Sequence, residues 1–388
     1  MEGQAAEKEA LRIIEVLASK GYQACIAGGA VRDLLLDRIP ADIDVATDAA
    51  PKEVMKLFPA AIDVGAAHGT VLIPAHDGTV TEVTRFKSVS GSTGSLKEDL
   101  SLRDFTVNAM AKLKDGTIID PYGGREDLKK GMLRAVGSAE DRILEDPVRL
   151  LRAVRFAVRY SFEWSSDLRA AVEKHAALLS QPAFERKSAE LEKMLGNGLS
   201  HENFVYFLKS APAAGLSPLF TYRKLWLEKL EQSPAPFPIE GKPLFWYTAS
   251  WHPDPAVSSR ALTKAKRSTR LKKAVSVIHE VNRRLLSEGW TSEVLYLAGA
   301  DLLVPCERLR ALWKAGIPDE HGVTEKYQQL PIKTKKELAV NGRILIDAFN
   351  TDNGKWVGRT LKHAEMKVVN SELPNDRDAI LDYIRKLC

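Results

Sequence analysis

Over roughly the first 160 residues, short apolar runs alternate with helical stripes. Beyond that point the pattern reads as helical. Leu11, Ile13, Ile14, Val16 and Leu17 recur at roughly helical spacing within residues 5–20, and Gly21 ends that helix. Tyr22–Ala27 is a short run closing in small residues and predicts a strand. Gly28-Gly29 then turns the chain into a helix over Ala30–Leu36. After Pro40-Ala41 comes Asp42-Ile43-Asp44-Val45, where acidic and apolar residues alternate as they do on a half-buried strand. Residues 52–59 predict a short helix. Val64–Pro74 and Thr79–Phe86 predict two strands joined through His76-Asp77-Gly78, whose Asp-Gly pair signals a hairpin. The Gly/Ser-rich stretch 87–95 is a loop, Thr117–Asp120 a strand, and Asp120-Pro121-Tyr122-Gly123-Gly124 a turn. Pro218, Pro234, Pro236, Pro238 and Pro243 mark a looser region among the later helices. The pattern predicts an α+β chain: a small mixed sheet with helices, followed by an all-helical remainder.

Two stretches add chemistry to this outline. A strand, a glycine turn and a helix start bring free backbone N–H groups to one point, which suits a phosphate. Glycines at 28 and 29 let backbone approach an anion closely, and Arg32 lies in the first helical turn, within reach of the same phosphates. A plain strand-to-helix turn would use the same residues. The second stretch shifts the balance. On a strand, Asp42 and Asp44 face one way while Ile43 and Val45 enter the core. Two carboxylates on one face repel unless a cation lies between them, and Mg²⁺ held by carboxylates and substrate phosphates is the natural candidate. The competing reading is an exposed polar strand edge.

Gly28-Gly29-Ala30-Val31-Arg32-Asp33 followed by Asp42-Ile43-Asp44-Val45 resembles the head of the class II tRNA nucleotidyltransferase and bacterial poly(A) polymerase superfamily, within the polymerase-β-like nucleotidyltransferases. The resemblance implies a catalytic head over residues 1–138, a helical neck that reads the base over 139–205, a helical body over 206–265 and a helical tail over 266–388. His68-Gly69-Thr70-Val71 is similar to the family's HGTV strand; His68 itself reads as structural. Glu82, on the neighbouring strand, matches an acidic position of relatives and is a candidate third metal carboxylate or else a surface glutamate. Leu102-Arg103-Asp104-Phe105-Thr106-Val107-Asn108-Ala109 resembles the family's RRDFTINA motif, with Leu102 in place of its first arginine. The resemblance implies that Arg103 and Asp104 contact the ribose; helix capping or a salt bridge competes for Asp104. Arg125-Glu126-Asp127-Leu128 fits the family's flexible hinge, against an ordinary loop.

Glu145-Asp146-Pro147-Val148-Arg149-Leu150-Leu151-Arg152 continues the likeness. Pro147 suits a first helical turn. At about 100° per residue, Arg149, Arg152, Arg155 and Arg159 fall within an arc of about 120°. Leu150, Leu151, Val154, Ala157 and Val158 lie opposite. Taken alone this is a solvated basic face with i,i+3 pairs such as Asp146 with Arg149. The match to the family's EDxxRxxR motif implies instead an amino-acid template. A carboxylate accepts from the amino group of cytosine while a guanidinium donates to its ring nitrogen. Adenine offers the same pair in another geometry, whereas uracil and guanine present the wrong order. Asp146 and Arg149 would select the base, Glu145 would orient them, and Arg152 and Arg155 would face the triphosphate. Ser180–Leu195 is similar to a further family motif that braces the neck, and residues 330–388 resemble the tail of the Gram-positive-type enzymes.

Charge and composition refine the partners. The net charge is +5 over 388 residues, a mild basic excess that becomes useful where it concentrates. Residues 257–286 hold Arg260, Lys264, Lys266, Arg267, Arg270, Lys272, Lys273, Arg283 and Arg284 against Glu280 alone, a stretch suited to an RNA backbone or simply a solvated helix face. Cys25, Cys306 and Cys388 are too dispersed for a disulfide framework or a cysteine-built zinc site, which fits a reducing cytoplasm. No apolar run spans a bilayer, and the first 22 residues lack the basic-then-apolar pattern of a signal peptide. The expected activity is template-independent transfer from CTP to the 3′ end of tRNA with release of pyrophosphate. Between Phe86-Lys87 and Leu96-Lys97-Glu98-Asp99-Leu100 lies only a short run of mostly small residues, where full CCA-adding relatives usually carry a longer charged loop. In that family the shortening implies addition of CC alone. The alternatives are full CCA addition from CTP and ATP, poly(A) synthesis, and a catalytically inactive RNA-binding protein; the intact Asp42/Asp44 pair argues against the last.

Overall fold

The computed structural model describes residues 2–387 apart from 41, 66–68, 76–77, 89–93 and 351–353. The chain forms two compact units, Met1–Pro182 and Ala183–Cys388.

In the first unit, α1 (Glu2–Ser19) buries Ala10, Ile13, Ile14 and Leu17 along one seam. Burying each large apolar side chain contributes about 1.5–3 kcal/mol. Gly21, at φ +85°, takes the left-handed turn after it. Next come β1 (Ala24–Ala27), α2 (Gly29–Leu35), β2 (Asp44–Thr47), α3 (Pro51–Leu57), β3 (Ile62–Gly65), β4 (Thr70–Pro74), β5 (Val80–Arg85), α4 (Leu96–Ser101), β6 (Ala111–Lys112), β7 (Ile118–Ile119), α5 (Gly124–Lys130), β8 (Met132–Leu133), α6 (Ala139–Glu145), α7 (Arg149–Tyr160), β9 (Glu163–Trp164) and α8 (Ser166–His175). The sheet order is β3-β4-β5-β2-β1-β6-β7. β2 and β5 run parallel and the other neighbours antiparallel, so the sheet is mixed, as the pattern predicts.

Several boundaries differ from expectation. The extended run Val64–Pro74 is two antiparallel strands, β3 and β4, with Gly69 at φ +87° in the return. Its apolar content hides that reversal. His68 lies outside the described residues, as do His76 and Asp77 of the β4–β5 hairpin and residues 89–93 of the Gly/Ser loop. Asp42 precedes β2 rather than lying on it, although the alternation survives: Ile43 and Val45 are buried and Asp42 and Asp44 exposed. The Glu145–Phe156 helix is two helices. Proline disfavours helical geometry in the residue before it. Asp146 is extended (φ −147°, ψ 97°), α6 ends at Glu145, and α7 begins after Pro147. Arg125–Leu128 is helical, inside α5. The short β8–β9 pair interrupts the helical reading beyond residue 160.

The second unit is helical. Phe207, Phe220 and Phe245 pack edge to face or tilted, with ring centroids 5.0–6.4 Å apart. Trp226, Trp251 and Trp313 form a second cluster at 5.2–6.2 Å. Towards the C-terminus a separate core gathers Leu345, Val357, Leu361, Val368, Ile380 and Ile384. No helix among the described residues is long and apolar enough to cross a membrane.

Candidate functional site

The parallel pairing of β2 with β5 sets Asp44 directly beside Glu82. Paired positions on adjacent strands share a face, about 4.8 Å apart. Asp44 is open to water on one side and crowded by protein on the others. That crowding, followed by the charges of Glu82 and then Asp42, raises its carboxyl to about 6, and Arg103 offsets part of the effect. A carboxylate crowded by two others in this way favours a hard divalent cation, which would relieve the repulsion on Asp44. Among the described residues no three acidic, histidine or cysteine side chains form a preformed metal cage.

The glycine turn lies at the edge of this face. The Gly28 N–H donates to the Met110 carbonyl at 3.1 Å, and Gly28 has φ +79°. A Cβ there would come within 3.0 Å of Arg103 Nη1. The positive φ favours glycine there, and the Arg103 guanidinium lies close against the turn. Arg103 is held by Asp99 at 2.7 Å, one helical turn earlier, and buried Asp99 also accepts from the Lys87 N–H at 3.0 Å. Asp99 escaped the sequence reading, although its i,i+4 spacing to Arg103 was a usable signal.

Two nucleotide-site assignments take a different form from the expected one. Arg32 is buried, and its guanidinium donates to Asn108 Oδ1 (2.6 Å), the Tyr160 hydroxyl (2.6 Å) and Asp33 Oδ1 (2.9 Å). Its donors are engaged behind the turn, 3.4 Å from where a Gly29 Cβ would lie, rather than extended toward a ligand. Asp104 is also buried. It accepts from Arg152 Nε (2.7 Å), Asn108 Nδ2 (2.9 Å) and the Phe105 N–H (2.8 Å). Burial alone would raise its pKa, but the Arg152 charge and these hydrogen bonds outweigh that and hold it below the usual carboxylate range. Asp104 thus makes a salt bridge to the arginine-striped helix.

On that helix, Leu150, Leu151, Val154, Ala157 and Val158 are all buried. Arg149 donates to Glu145 Oε2 (2.7 Å) and to the Arg142 carbonyl (2.8 Å). Asp146 Oδ1 accepts from the Val148 N–H at 3.2 Å, at the start of the helix. Glu145 is therefore placed to orient Arg149. Arg155 lies over the Phe156 ring at 4.5 Å. Nearby, buried Asp127 of α5 accepts from Thr106 and from Arg134 at 2.9 Å, tying α5 to the 104–108 segment.

In the second unit, Lys264, Lys266, Arg270 and Lys273 are exposed and Lys272 is half-buried. Arg267 is engaged: it pairs with Glu192 and lies 4.7 Å from the Trp246 ring centroid. Lys242, Lys266 and Arg270 line a groove of about 390 Å³ beside it.

Residues 24–134 match the family described as the Poly A polymerase head domain, and residues 238–384 the one described as tRNA nucleotidyltransferase domain 2, putative. The chain is 36% identical to the CCA-adding enzyme of Geobacillus thermodenitrificans, over 97% of this chain and 96% of that one. It is 35% identical to that of Lactiplantibacillus plantarum, over 96% and 94%. The crystal structure of the Bacillus stearothermophilus CCA-adding enzyme in complex with CTP superposes with TM-score 0.81 at 35% identity, covering 98% and 97%. The Thermotoga maritima CCA-adding enzyme complexed with tRNA shares the fold at TM-score 0.67 and 22% identity, covering 98% and 95%. The chain belongs to the class II tRNA nucleotidyltransferase family.

Proposed function

We propose that this enzyme rebuilds the CCA end of tRNA from CTP and ATP in the cytoplasm. The observation that carries this reading is end-to-end similarity to proteins named CCA-adding enzyme, one of them solved with CTP. In the reaction, the tRNA 3′-oxygen bonds to the α-phosphorus and loses its proton. The bond from that phosphorus to the bridging oxygen breaks, and pyrophosphate leaves. Members of the family depend on divalent metal. We assign Mg²⁺ to Asp42 and Asp44, with Glu82 as third carboxylate, where it would acidify the hydroxyl and neutralise the leaving group. The Gly28-Gly29 turn cradles the triphosphate, with the Gly29 N–H facing it while that of Gly28 serves Met110; Arg32 braces that turn from behind, and Arg103 reaches the sugar. Asp146 and Arg149 read the base, with Glu145 orienting Arg149. Asp104 acts through Arg152, and Arg155 faces the phosphates. Head, neck, body and tail follow the boundaries 1–138, 139–205, 206–265 and 266–388. Lys264, Lys266, Arg270, Lys272 and Lys273 meet the tRNA backbone, with Arg267 supporting them.

A second reading, addition of CC alone, is favoured by the short run between Lys87 and Leu96. One experiment separates the two. Purified protein receives tRNA ending before its CCA, with CTP alone, ATP alone or both, and products are resolved by length. Three added nucleotides at comparable rates support full addition; a stop after two, with ATP unused, supports the second reading. No incorporation from either nucleotide would sink both.

A further inference from the structure

Tyr160 is the last residue of α7, and nothing in the reading above uses it. Its hydroxyl accepts from Arg32 Nη2 at 2.6 Å and donates to Asp33 Oδ1 at 3.0 Å. Its ring stacks with Phe156 (5.7 Å) and with Phe162 (5.3 Å), and the Arg32 and Arg38 guanidinium carbons lie 4.5 and 4.9 Å from its centroid. Arg32 donates onward to Asn108, Asn108 to Asp104, and Arg152 holds Asp104. Besides its buried apolar face, the helix carrying Arg149 is therefore fastened on its polar side to the segment carrying the glycine turn at two points. One is Arg152, through Asp104 and Asn108; the other is Tyr160, directly.

Two fastenings do what one cannot. The buried apolar face of α7 prevents large movement, but on the polar side one tie leaves the helix a small freedom of angle that a second tie removes. At about 1.5 Å per residue, Arg152 and Tyr160 are about 12 Å apart, and Arg149 lies about 4.5 Å beyond Arg152 on the other side. If the Tyr160 end shifts by about 1 Å, Arg149 swings by about 0.4 Å about the Arg152 pivot. The triphosphate, held at the glycine turn, does not follow. Hydrogen-bond readout of a base edge weakens steeply with such misalignment.

We propose that Tyr160 is a positioning residue for base selection: its hydroxyl locks the angle of α7 relative to the phosphate-holding turn, so that the nucleotide is read against a fixed frame. The inference rests on the assignment of Asp146 and Arg149 as base readers. Uracil presents the wrong donor order, so it makes few of the bonds that tilting disturbs. Tilting therefore penalises CTP more than UTP.

The test is Tyr160→Phe, which keeps the ring stack and removes the hydroxyl. Incorporation of CMP and UMP onto tRNA lacking its end is measured with kcat and KM separately, alongside thermal unfolding. The expected result is an about tenfold fall in the CTP over UTP ratio of kcat/KM, from the loss of a hydrogen bond to a charged group. An equal slowing of both nucleotides, or no change, overturns the proposal, because a merely structural role would leave the ratio alone. Asp146→Ala is assayed beside it. Unchanged selectivity there removes the base-reading assignment itself and the proposal with it. Selectivity lost in Asp146→Ala but kept in Tyr160→Phe removes only the coupling.

Discussion

Replacing Asp104 with Asn tests the bridge between the sheet-bearing segment and the arginine-striped helix. Asp104 Oδ2 lies 2.6 Å from Arg152 Nη2 and 2.7 Å from Nε, and the carboxylate also accepts from Asn108 and the Phe105 N–H. Asp104 is buried, while the Arg152 side chain keeps 30% of its surface. Removing one partner of a buried pair costs about 3–5 kcal/mol. Arg152 can rehydrate in part, which places Asp104→Asn at the low end, about 3 kcal/mol. For a unit of this size that lowers Tm by about 6–12 °C. Thermal unfolding at neutral pH measures it, and a double-mutant cycle with Arg152→Met isolates the pair. pH gives a second check of sign. The carboxyl is held below its usual range in the folded state, so its stabilisation is present above the unfolded value near pH 4 and lost as pH falls through the folded one. The native and Asp104→Asn stabilities should converge below about pH 4. A change under about 0.5 kcal/mol, or a coupling energy near zero, would refute the reasoning.

Other perturbations probe separate parts of the chain. Asp44→Asn relieves the repulsion from Glu82 and Asp42, so it should raise Tm in chelator, abolish any gain in Tm on adding Mg²⁺, and eliminate incorporation; an unchanged Mg²⁺ response would place the cation elsewhere. Gly124→Ala brings a Cβ within 2.3 Å of the Thr106 carbonyl oxygen, both backbone-fixed, and should destabilise the fold by several kcal/mol, about the upper range for overpacking, as read by denaturant midpoint. Arg270→Ala should weaken tRNA binding and reduce the slope of log affinity against log salt by about 1, whereas Arg267→Ala should mainly lower Tm because its guanidinium serves Glu192 and Trp246. Filter binding across a salt series distinguishes the two.

The head was legible because its signals are local. Alternation around Asp44 and the arginine stripe follow from periods of two and 3.6 residues within one element, and the Gly28-Gly29 turn from a pair of adjacent glycines. The break at Pro147 was also written locally, since a proline restrains the residue before it, but the continuous stripe beyond it concealed the division into two helices. The β3–β4 reversal was hidden because the run from Val64 to Pro74 holds no charged residue and no strong turn pair.

What the sequence determined by itself was which side chains have the chemistry the proposed reaction needs: two carboxylates, a glycine turn and an acid-arginine motif. What only the tertiary structure decided is which of those side chains are free to use it. Arg32 and Asp104 have the right chemistry for phosphate and ribose, yet both are buried and bonded to Asn108, Tyr160 and Arg152. Those partners lie 76, 128, 4 and 48 residues away along the chain. A buried charge must find partners wherever the fold brings them, and for most of these contacts no periodicity of a single segment encodes which distant residue that will be.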